Sequence, residues 1–402
     1  MIRQSEICLI SGKFAVVQLG IVMNRVKWFA VSFAAITLTA SVAASGLVGE
    51  NKQATAKASS AVVTPAGYRI IGVGDMMLGS DYPLEYLDPR VTDGGDPTSV
   101  LGQEMTALFK SADVTFGNFE GTMHSSIEGA KACGNPKVCY TFRSPPYHAA
   151  YIKRAGFNML SNANNHSRDF GEAARAATFK NLTGAGFAVS GADTPDTRFG
   201  IHTMKDGTKA VLVAFGHNPG LMKVQELERV RTLVQEAATK GDIVIASCHI
   251  GAEGRIHNRV TRAPELFLGE DRGNPFAFAR TAVDAGADVV FCHGPHIARA
   301  VEVYKGRFIA YSLGNFWTYG SFNLRDENGH APIADLRVAK DGALQSARIV
   351  SARQDKPGGP YLDSNHAAAK QIAMLTARDF PETGVSVSPD GEISWPDKPK
   401  VP

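Results

Sequence analysis

The run VVFCHGPH, residues 289–296, is a short apolar stretch that ends in two histidines, His293 and His296. Its β-branched and aromatic residues predict a buried strand whose carboxyl end presents the imidazoles. The run IVIASCH, residues 243–249, repeats this arrangement and ends in His249. Because ligands of sheet proteins bind outside the carboxyl ends of strands, the two runs predict one site at a sheet edge.

Three further apolar runs upstream also end in polar residues. Asp75 follows the first, Glu120 follows the second, and the segment NANNH at 162–166 follows the third. Two carboxylates, one amide and three or four imidazoles make a mixed set of oxygen and nitrogen donors. Such a set suits a pair of divalent Mn, Fe or Zn ions, whereas calcium or magnesium sites use oxygen donors and need few histidines.

Strand-like and helix-like runs alternate from Tyr68 onward, and the pattern ends in β-hairpins. This alternation predicts an α/β or layered α+β domain. The predicted helices are Pro146–Ala155, Gly171–Ala185, Val224–Lys240, Pro275–Ala285 and a short one near His366–Arg378.

The composition changes sharply along the chain. Residues 23–49 have a basic start, an apolar centre and small residues, which predicts a secretory signal or, as the alternative, an uncleaved membrane anchor. Residues 1–22 are interpreted as an upstream extension and residues 50–67 as a linker. The catalytic domain is predicted at 68–350, with a helix and Pro-rich tail at 351–402, and it is expected outside the cytoplasm.

The charge balance limits the partners of this chain. There are 42 Lys and Arg against 39 Asp and Glu, so the net charge of +3 gives no support for nucleic acid as a partner. Of the five Cys, Cys133 and Cys139 flank a short loop and could form a disulfide in an oxidising compartment. Cys248 and Cys292 are interpreted as packing residues of buried strands.

The order of the motifs resembles the CapA-type capsule synthesis family over about residues 68–320. The segments that carry the resemblance are GDMMLG (74–79), NFEG (118–121), TFRSPP (141–146), ANNHSRDFG (163–171), HIGAE (249–253), HGPH (293–296), VEVYKG (301–306) and YSLGNF (311–316). The resemblance implies a calcineurin-like metallophosphatase fold, with two mixed β-sheets packed together and flanked by helices. It also implies an association with poly-γ-glutamate capsule synthesis.

The resemblance further implies residue roles. The implied metal ligands are Asp75, Glu120, Asn165, His249, His293 and His296, with Glu120 bridging two metals. His166 resembles the family's catalytic histidine, and Asp169 could orient it. Arg143, Asn118 and Glu253 are predicted to contact substrate, although a surface salt bridge is an equal interpretation of Arg143. His217 fits no motif and is interpreted as a solvated loop residue.

Three positions depart from the family pattern. Met77 stands where ordinary metallophosphoesterases have a histidine, Ile250 replaces a tryptophan, and Gly294 replaces a histidine, which leaves His293 as the ligand. The leading hypothesis is a metal-dependent phosphoesterase acting on a cell-envelope phosphate ester. The alternatives are a factor that binds or transfers poly-γ-glutamate beside a membrane-bound capsule synthesis complex, and a non-catalytic scaffold.

Overall fold

The computed structural model describes residues 67–133 and 139–398. The predicted signal or anchor at 23–49 lies outside the described residues, as do 1–22 and almost all of the linker. Within the described residues, no helix is both long and apolar enough to cross a membrane.

Seven strands form a first mixed sheet around the long strand Tyr68–Met77. Parallel pairing runs from Tyr68–Met77 through Val114–Phe119 and Met159–Ser161 to Ala188–Ser190, and Asn315–Thr318 also pairs parallel with the end of the long strand. Ile333–Val338 and Leu344–Val350 extend the other side in antiparallel fashion. The parallel strands end at the same edge, where Asp75 and Glu120 lie.

Six strands form a second mixed sheet. Their order is Val301–Tyr304, Arg307–Ala310, Val289–His293, Ile243–His249, Lys209–Gly216 and Phe199–Thr203. The four inner strands are parallel, and the register places His293 directly beside His249. Four small two-stranded ladders complete the β structure of the described residues: Thr122–Met123 with Arg143–Ser144, Leu266–Phe267 with Glu270–Asp271, Ala352–Gln354 with Pro360–Leu362, and Ser386–Val387 with Ile393–Ser394.

The two sheets pack face to face over a shared apolar core. Phe116 from the first sheet stacks on Phe291 from the second, with ring centroids 5.3 Å apart. A further apolar cluster covers the outer face of each sheet under its helices. The helices are Thr98–Lys110, Tyr147–Arg154 and Gly171–Gly184 on the first sheet, Leu227–Ala238 and Pro275–Asp284 on the second, and Ala367–Asp379 near the end. Three short 3₁₀ turns lie at Arg255–His257, Asp326–Gly329 and Pro381–Thr383.

The prediction of two mixed sheets flanked by helices is confirmed. Helix Thr98–Lys110 was missed because Gly102, at φ 72°, breaks its periodic pattern. The predicted helix Val224–Lys240 begins only at Leu227. In the segment predicted as a Pro-rich tail, Trp395 is buried in the core shared by the two sheets.

Candidate metal centre

Five of the six predicted ligands lie together at the edge where the parallel strands of both sheets end, and the sixth, Asn165, lines the same cavity as His296. One ligand atom from each of Glu120, His249 and His296 lies within 4.8 Å of the others. Glu120 directly follows a strand of the first sheet, and His249 is the last residue of a strand in the second. The packing of the sheets therefore brings together residues that lie far apart in the sequence.

Asp75 and His293 extend this cluster on one side. Asp75 Oδ2 lies 3.0 Å from His296 Nδ1, and Asp75 Oδ1 lies 3.4 Å from His293 Nδ1. Asn118 Nδ2 donates to Asp75 Oδ1 at 2.8 Å. Asn118 therefore positions a candidate ligand, and it is not among the residues that line the cavity beside the cluster.

Several buried polar atoms of the cluster lack a hydrogen-bond partner. They are both carboxylate oxygens of Glu120, Oδ1 of Asn165, Nε2 of His249 and both ring nitrogens of His293. Buried polar atoms in proteins are almost always paired, so a group of unpaired polar atoms in one cluster requires an explanation. Coordination of divalent cations provides one, since oxygen and imidazole donors suit Mn, Fe and Zn.

The electrostatics of the cluster agree with this interpretation. Burial raises the pKa of Glu120 to about 8, although the charge of His296 opposes that shift. Burial disfavours the charged form of His296, but the Glu120 and Asp75 carboxylates outweigh it and raise its pKa to about 10. Burial holds the pKa of His249 well below its ordinary value. The Glu120 and Asp75 carboxylates thus stabilise a positive charge inside the cluster, here on His296, and a bound cation would supply such a charge as well.

His166 and Asp169 form a hydrogen-bonded pair at the rim of the cluster. The Nδ1 atom of His166 lies 2.7 Å from Asp169 Oδ2, and that oxygen also accepts the backbone N–H of Phe142 at 2.8 Å. Lys131 pairs with the other oxygen of Asp169 at 2.5 Å. The hydrogen bond to Asp169 fixes Nδ1, so Nε2 is the ring nitrogen left for a substrate.

His296 adopts a left-handed backbone conformation, with φ 57°. Strain of this kind in a non-glycine residue costs energy and is typical of functional sites. The side chain of Asn315, from the first sheet, lies 3.1 Å from Nδ1 of His296. Sequence reasoning did not identify Asn315, although it lies within the segment YSLGNF that carried the resemblance.

The sequence profile of the bacterial capsule synthesis proteins, described as PGA_cap, matches residues 69–319. That span is more than half of the 402 residues and contains every residue of the cluster. The chain belongs to this family. The CapA-type resemblance seen in the sequence is thereby confirmed.

Two curated relatives are similar to this family member. The PGA biosynthesis protein CapA of Bacillus subtilis (strain 168) is 26% identical over 258 residues, which is 61% of each chain. The capsule biosynthesis protein CapA of Bacillus anthracis is 25% identical over 260 residues, covering 61% of this chain and 58% of that one. The chain thus spans about three-fifths of the length of these relatives.

Among solved structures, a putative 5'-nucleotidase from Staphylococcus aureus matches with a TM-score of 0.39 and 13% identity. The match covers 76% of this chain and 58% of that chain. A similarity of this size supports no conclusion about the fold or the activity.

Gly294, where the resemblance implied a histidine in relatives, lies at a position that favours glycine. Its φ is 116°, and a Cβ atom there would lie 2.8 Å from the backbone oxygen of Ile250. Both features favour glycine, so a histidine at this position would require the loop to move. His293, one residue earlier, is fully buried beside Asp75 and offers the imidazole instead.

Arg143 and Glu253 were both predicted to contact substrate, and the structure places them differently with respect to the cavity. Arg143 Nε donates to Asp81 at 2.6 Å and Nη1 donates to the carbonyl oxygen of Ser126 at 2.8 Å, so the ion-pair interpretation describes its position. It does not line the cavity. Glu253 does line the cavity, where it accepts a hydrogen bond from Arg272 at 3.0 Å.

His217 was predicted as a solvated loop residue, and this prediction is wrong. It is buried, its ring stacks near His249 with centroids 6.3 Å apart, and Nε2 lies 3.6 Å from Glu270. His217 directly follows strand Lys209–Gly216. The strand-end rule that identified His249 would also have identified His217, if it had been applied to this strand.

The structure joins Cys133 to Cys139, as the sequence suggested, and also joins Cys248 to Cys292. The interpretation of the second pair as unbonded packing residues is wrong. The two Cys face each other in the register of neighbouring parallel strands, which the sequence alone could not establish. The bond lies one residue before His249 and His293.

Proposed function

We propose that this capsule synthesis protein is an exported hydrolase that uses two divalent metal ions and acts on a phosphoester during cell-envelope polymer synthesis. The observation that carries the proposal is the buried convergence of Glu120, His249 and His296 within 4.8 Å, beside a cavity. Export is supported by the sequence of residues 23–49.

Metal binding and proton transfer are assigned to different residues of the chain. The residues that would hold the metal ions are Asp75, Glu120, Asn165, His249, His293 and His296, and the ions would supply Lewis-acid activation of water and of a phosphoryl oxygen. Both oxygens of Glu120 are buried and lack a hydrogen-bond partner, so both are available to metal ions.

His166 is the residue proposed to move a proton. Its Nδ1 is held by Asp169, and the residue lines the cavity, so the imidazolium form would give its Nε2 proton to the leaving oxygen of the substrate and return to the neutral imidazole. The stacked ring of Phe142, with its centroid 4.0 Å from that of His166, restricts rotation of the imidazole.

The test is metal analysis and hydrolysis with one preparation. The full chain is purified without a metal-binding tag, loaded with Mn and assayed with an aryl phosphate. We expect stoichiometric metal and turnover, and loss of both in the Asp75→Ala, His296→Ala double variant. If the protein binds no stoichiometric metal after incubation with Mn, the proposal is wrong.

A second candidate is a factor that binds poly-γ-glutamate at the same site without hydrolysing it, beside a membrane-bound partner. The names of the two Bacillus relatives support it, since one is a PGA biosynthesis protein and the other a capsule biosynthesis protein. Binding of γ-glutamate oligomers to the metal-loaded chain, without turnover of any phosphoester or amide, is the result that would favour it.

A further inference from the structure

A cavity of about 370 Å³ opens directly beside the candidate metal centre. His296, His166 and Asn165 form its inner end. Aromatic residues form much of the remaining wall, namely Tyr140, Phe142, Phe267 and Phe322. A substrate whose phosphoryl group reached the ligands would place its remaining part among these rings.

One wall is a continuous series of rings. Phe142 stacks on His166 at a centroid distance of 4.0 Å, and Phe322 lies 5.5 Å from Phe142. Tyr140 continues the series at 6.3 Å from Phe142. The wall therefore extends from the proposed proton donor outward to the surface.

Phe267 belongs to a separate element, the small hairpin Leu266–Phe267 with Glu270–Asp271. Its ring has the guanidinium of Arg272 5.3 Å from its centroid and the His257 ring at 6.0 Å. The same guanidinium pairs with Glu253. Phe267 is thus held in place by neighbours outside the cavity.

Away from the candidate ligands, the lining of the cavity carries little charge. In the part of the chain that the structure describes, no Lys or Arg lines this cavity, and its one carboxylate is Glu253. The other polar groups away from the ligands are neutral: Asn315, Asn323, Asn328 and Ser321. A polyanion placed along this part of the cavity, away from the metal centre, would lose water without gaining a positive partner there, which costs free energy.

We propose that this cavity binds an uncharged, ring-bearing group attached to the phosphoester, and that it disfavours a polyanionic chain. The inference rests on the proposed function, since it concerns the part of the substrate next to the reacting phosphate. Stacking on aromatic faces supplies affinity, and the neutral amides supply hydrogen bonds to ring substituents.

The experiment compares two phosphonates as ligands of the Mn-loaded chain, measured by calorimetry. Phenylphosphonate should bind about 2- to 10-fold tighter than methylphosphonate, the range expected for one aromatic pair. Phe322→Ala and Phe267→Ala should each weaken phenylphosphonate several-fold and leave methylphosphonate unchanged. Leu268→Ala, next to Phe267 on the same hairpin but 82% exposed, is the matched control and should change neither.

A second comparison tests the charge. 4-Carbamoylphenylphosphonate should bind more tightly than 4-carboxyphenylphosphonate, which has nearly the same shape and one more negative charge. Tighter binding of the carboxylate would overturn the preference for an uncharged group and would favour an anionic polymer as ligand.

The outcomes separate the two proposals. Equal affinity of phenyl and methyl phosphonates overturns the ring-binding inference and leaves the phosphoesterase proposal standing. If neither phosphonate binds protein that carries stoichiometric Mn, the phosphoesterase proposal fails and the inference fails with it.

Discussion

The first sheet brings oxygen ligands to the candidate metal centre, whereas the second brings nitrogen ligands. Asp75, Glu120 and Asn165 come from the first sheet or its loops, and His249 and His293 end strands of the second. Neither sheet alone has the mixed set that Mn, Fe or Zn prefers. The difference teaches that the site depends on how the two sheets pack, through contacts such as that of Phe116 with Phe291.

The largest loss of metal binding is predicted for substitution of Glu120. Of the three residues whose ligand atoms lie within 4.8 Å of one another, it is the one that comes from the first sheet. Glu120→Gln keeps the shape and removes the charge that would bridge two cations. We expect metal affinity to fall by at least about 100-fold, the upper end for outer ligand contacts, with hydrolysis falling to background. Metal content by mass spectrometry and aryl phosphate turnover measure this.

Asp288→Asn is the matched control for Glu120→Gln. Asp288 is also a buried carboxylate, but it precedes strand Val289–His293 at the end opposite His293. The metal content of the Asp288→Asn variant should equal that of the wild type. Retention of full metal and activity in Glu120→Gln would contradict the bridging role.

A second prediction concerns proton transfer. The proposed proton donor, His166, lies in the loop that follows strand Met159–Ser161 of the first sheet. His166→Asn should lower kcat by about 10²- to 10⁴-fold while metal content stays unchanged. Asp169→Asn should give a smaller loss because the imidazole remains but is no longer oriented.

His330→Asn serves as the control for these variants, since its Nδ1 contacts Gln371 away from the cluster. Its kcat should match the wild type. If His166→Asn lost metal together with activity, His166 would be a ligand and the division of roles would be wrong.

The strand-end pattern shows how far the sequence could predict the site. Asp75, Glu120 and His249 follow or end apolar runs, so their convergence followed from where parallel strands end. Asn165 and His296 lie in the loops that follow two such runs, so the pattern predicted their region, and their choice as ligands rested on the family resemblance. Arg143 was chosen by residue type, and the sequence contains no sign of its partner Asp81, which lies far from it in the chain.

The fold was predictable where periodicity was strong. Helix Pro275–Asp284 agrees with the prediction to one residue, because Pro275 and Gly286 mark its limits. The strands Ile333–Val338 and Leu344–Val350 were not predicted, although both alternate between buried and partly exposed residues. Pairing of Cys248 with Cys292 depends on strand order, which local patterns do not encode.

The third prediction tests whether the second sheet is fixed at its ligand-bearing end. The bond between Cys248 and Cys292 closes a long segment, with a sequence separation of 44. By chain entropy, Cys248→Ser with Cys292→Ser should lower the free energy of unfolding by about 4 kcal/mol. Metal affinity should also fall, because His249 and His293 adjoin the bond. Urea unfolding with and without Mn checks both effects, and unchanged stability would contradict the bond.

The fourth prediction concerns His148. This residue is buried against the outer side of the first sheet, whereas His293 is buried in the ligand cluster. Both ring nitrogens of His148 lack a hydrogen-bond partner, and burial lowers its pKa to about 4. Below pH 6.5 the unfolded chain takes up a proton that folded His148 refuses, so stability falls as the pH falls towards 4. The loss attributable to His148 is about 3 kcal/mol at most.

His148→Leu should remove that part of the acid destabilisation. Urea unfolding of the metal-free chain between pH 4 and pH 7 should show a flatter pH dependence in the variant. Added Mn should stabilise both proteins equally, because His148 is not among the candidate ligands. Parallel curves for variant and wild type would show that His148 is solvated or paired in solution.

The fifth prediction concerns the disulfide between Cys133 and Cys139, on the first-sheet side of the site. Its loss is expected to have the smallest effect on stability. The bond between Cys133 and Cys139 has a sequence separation of only 6, so its chain-entropy contribution is about 2 kcal/mol. Cys133→Ser with Cys139→Ser should therefore destabilise the chain about half as much as loss of the other bond. Tyr140 directly follows this loop and begins the aromatic wall, so affinity for phenylphosphonate should fall slightly while metal content stays constant. A loss of metal in this variant would mean that the loop supports the ligands themselves, and the contrast between the two bonds would disappear.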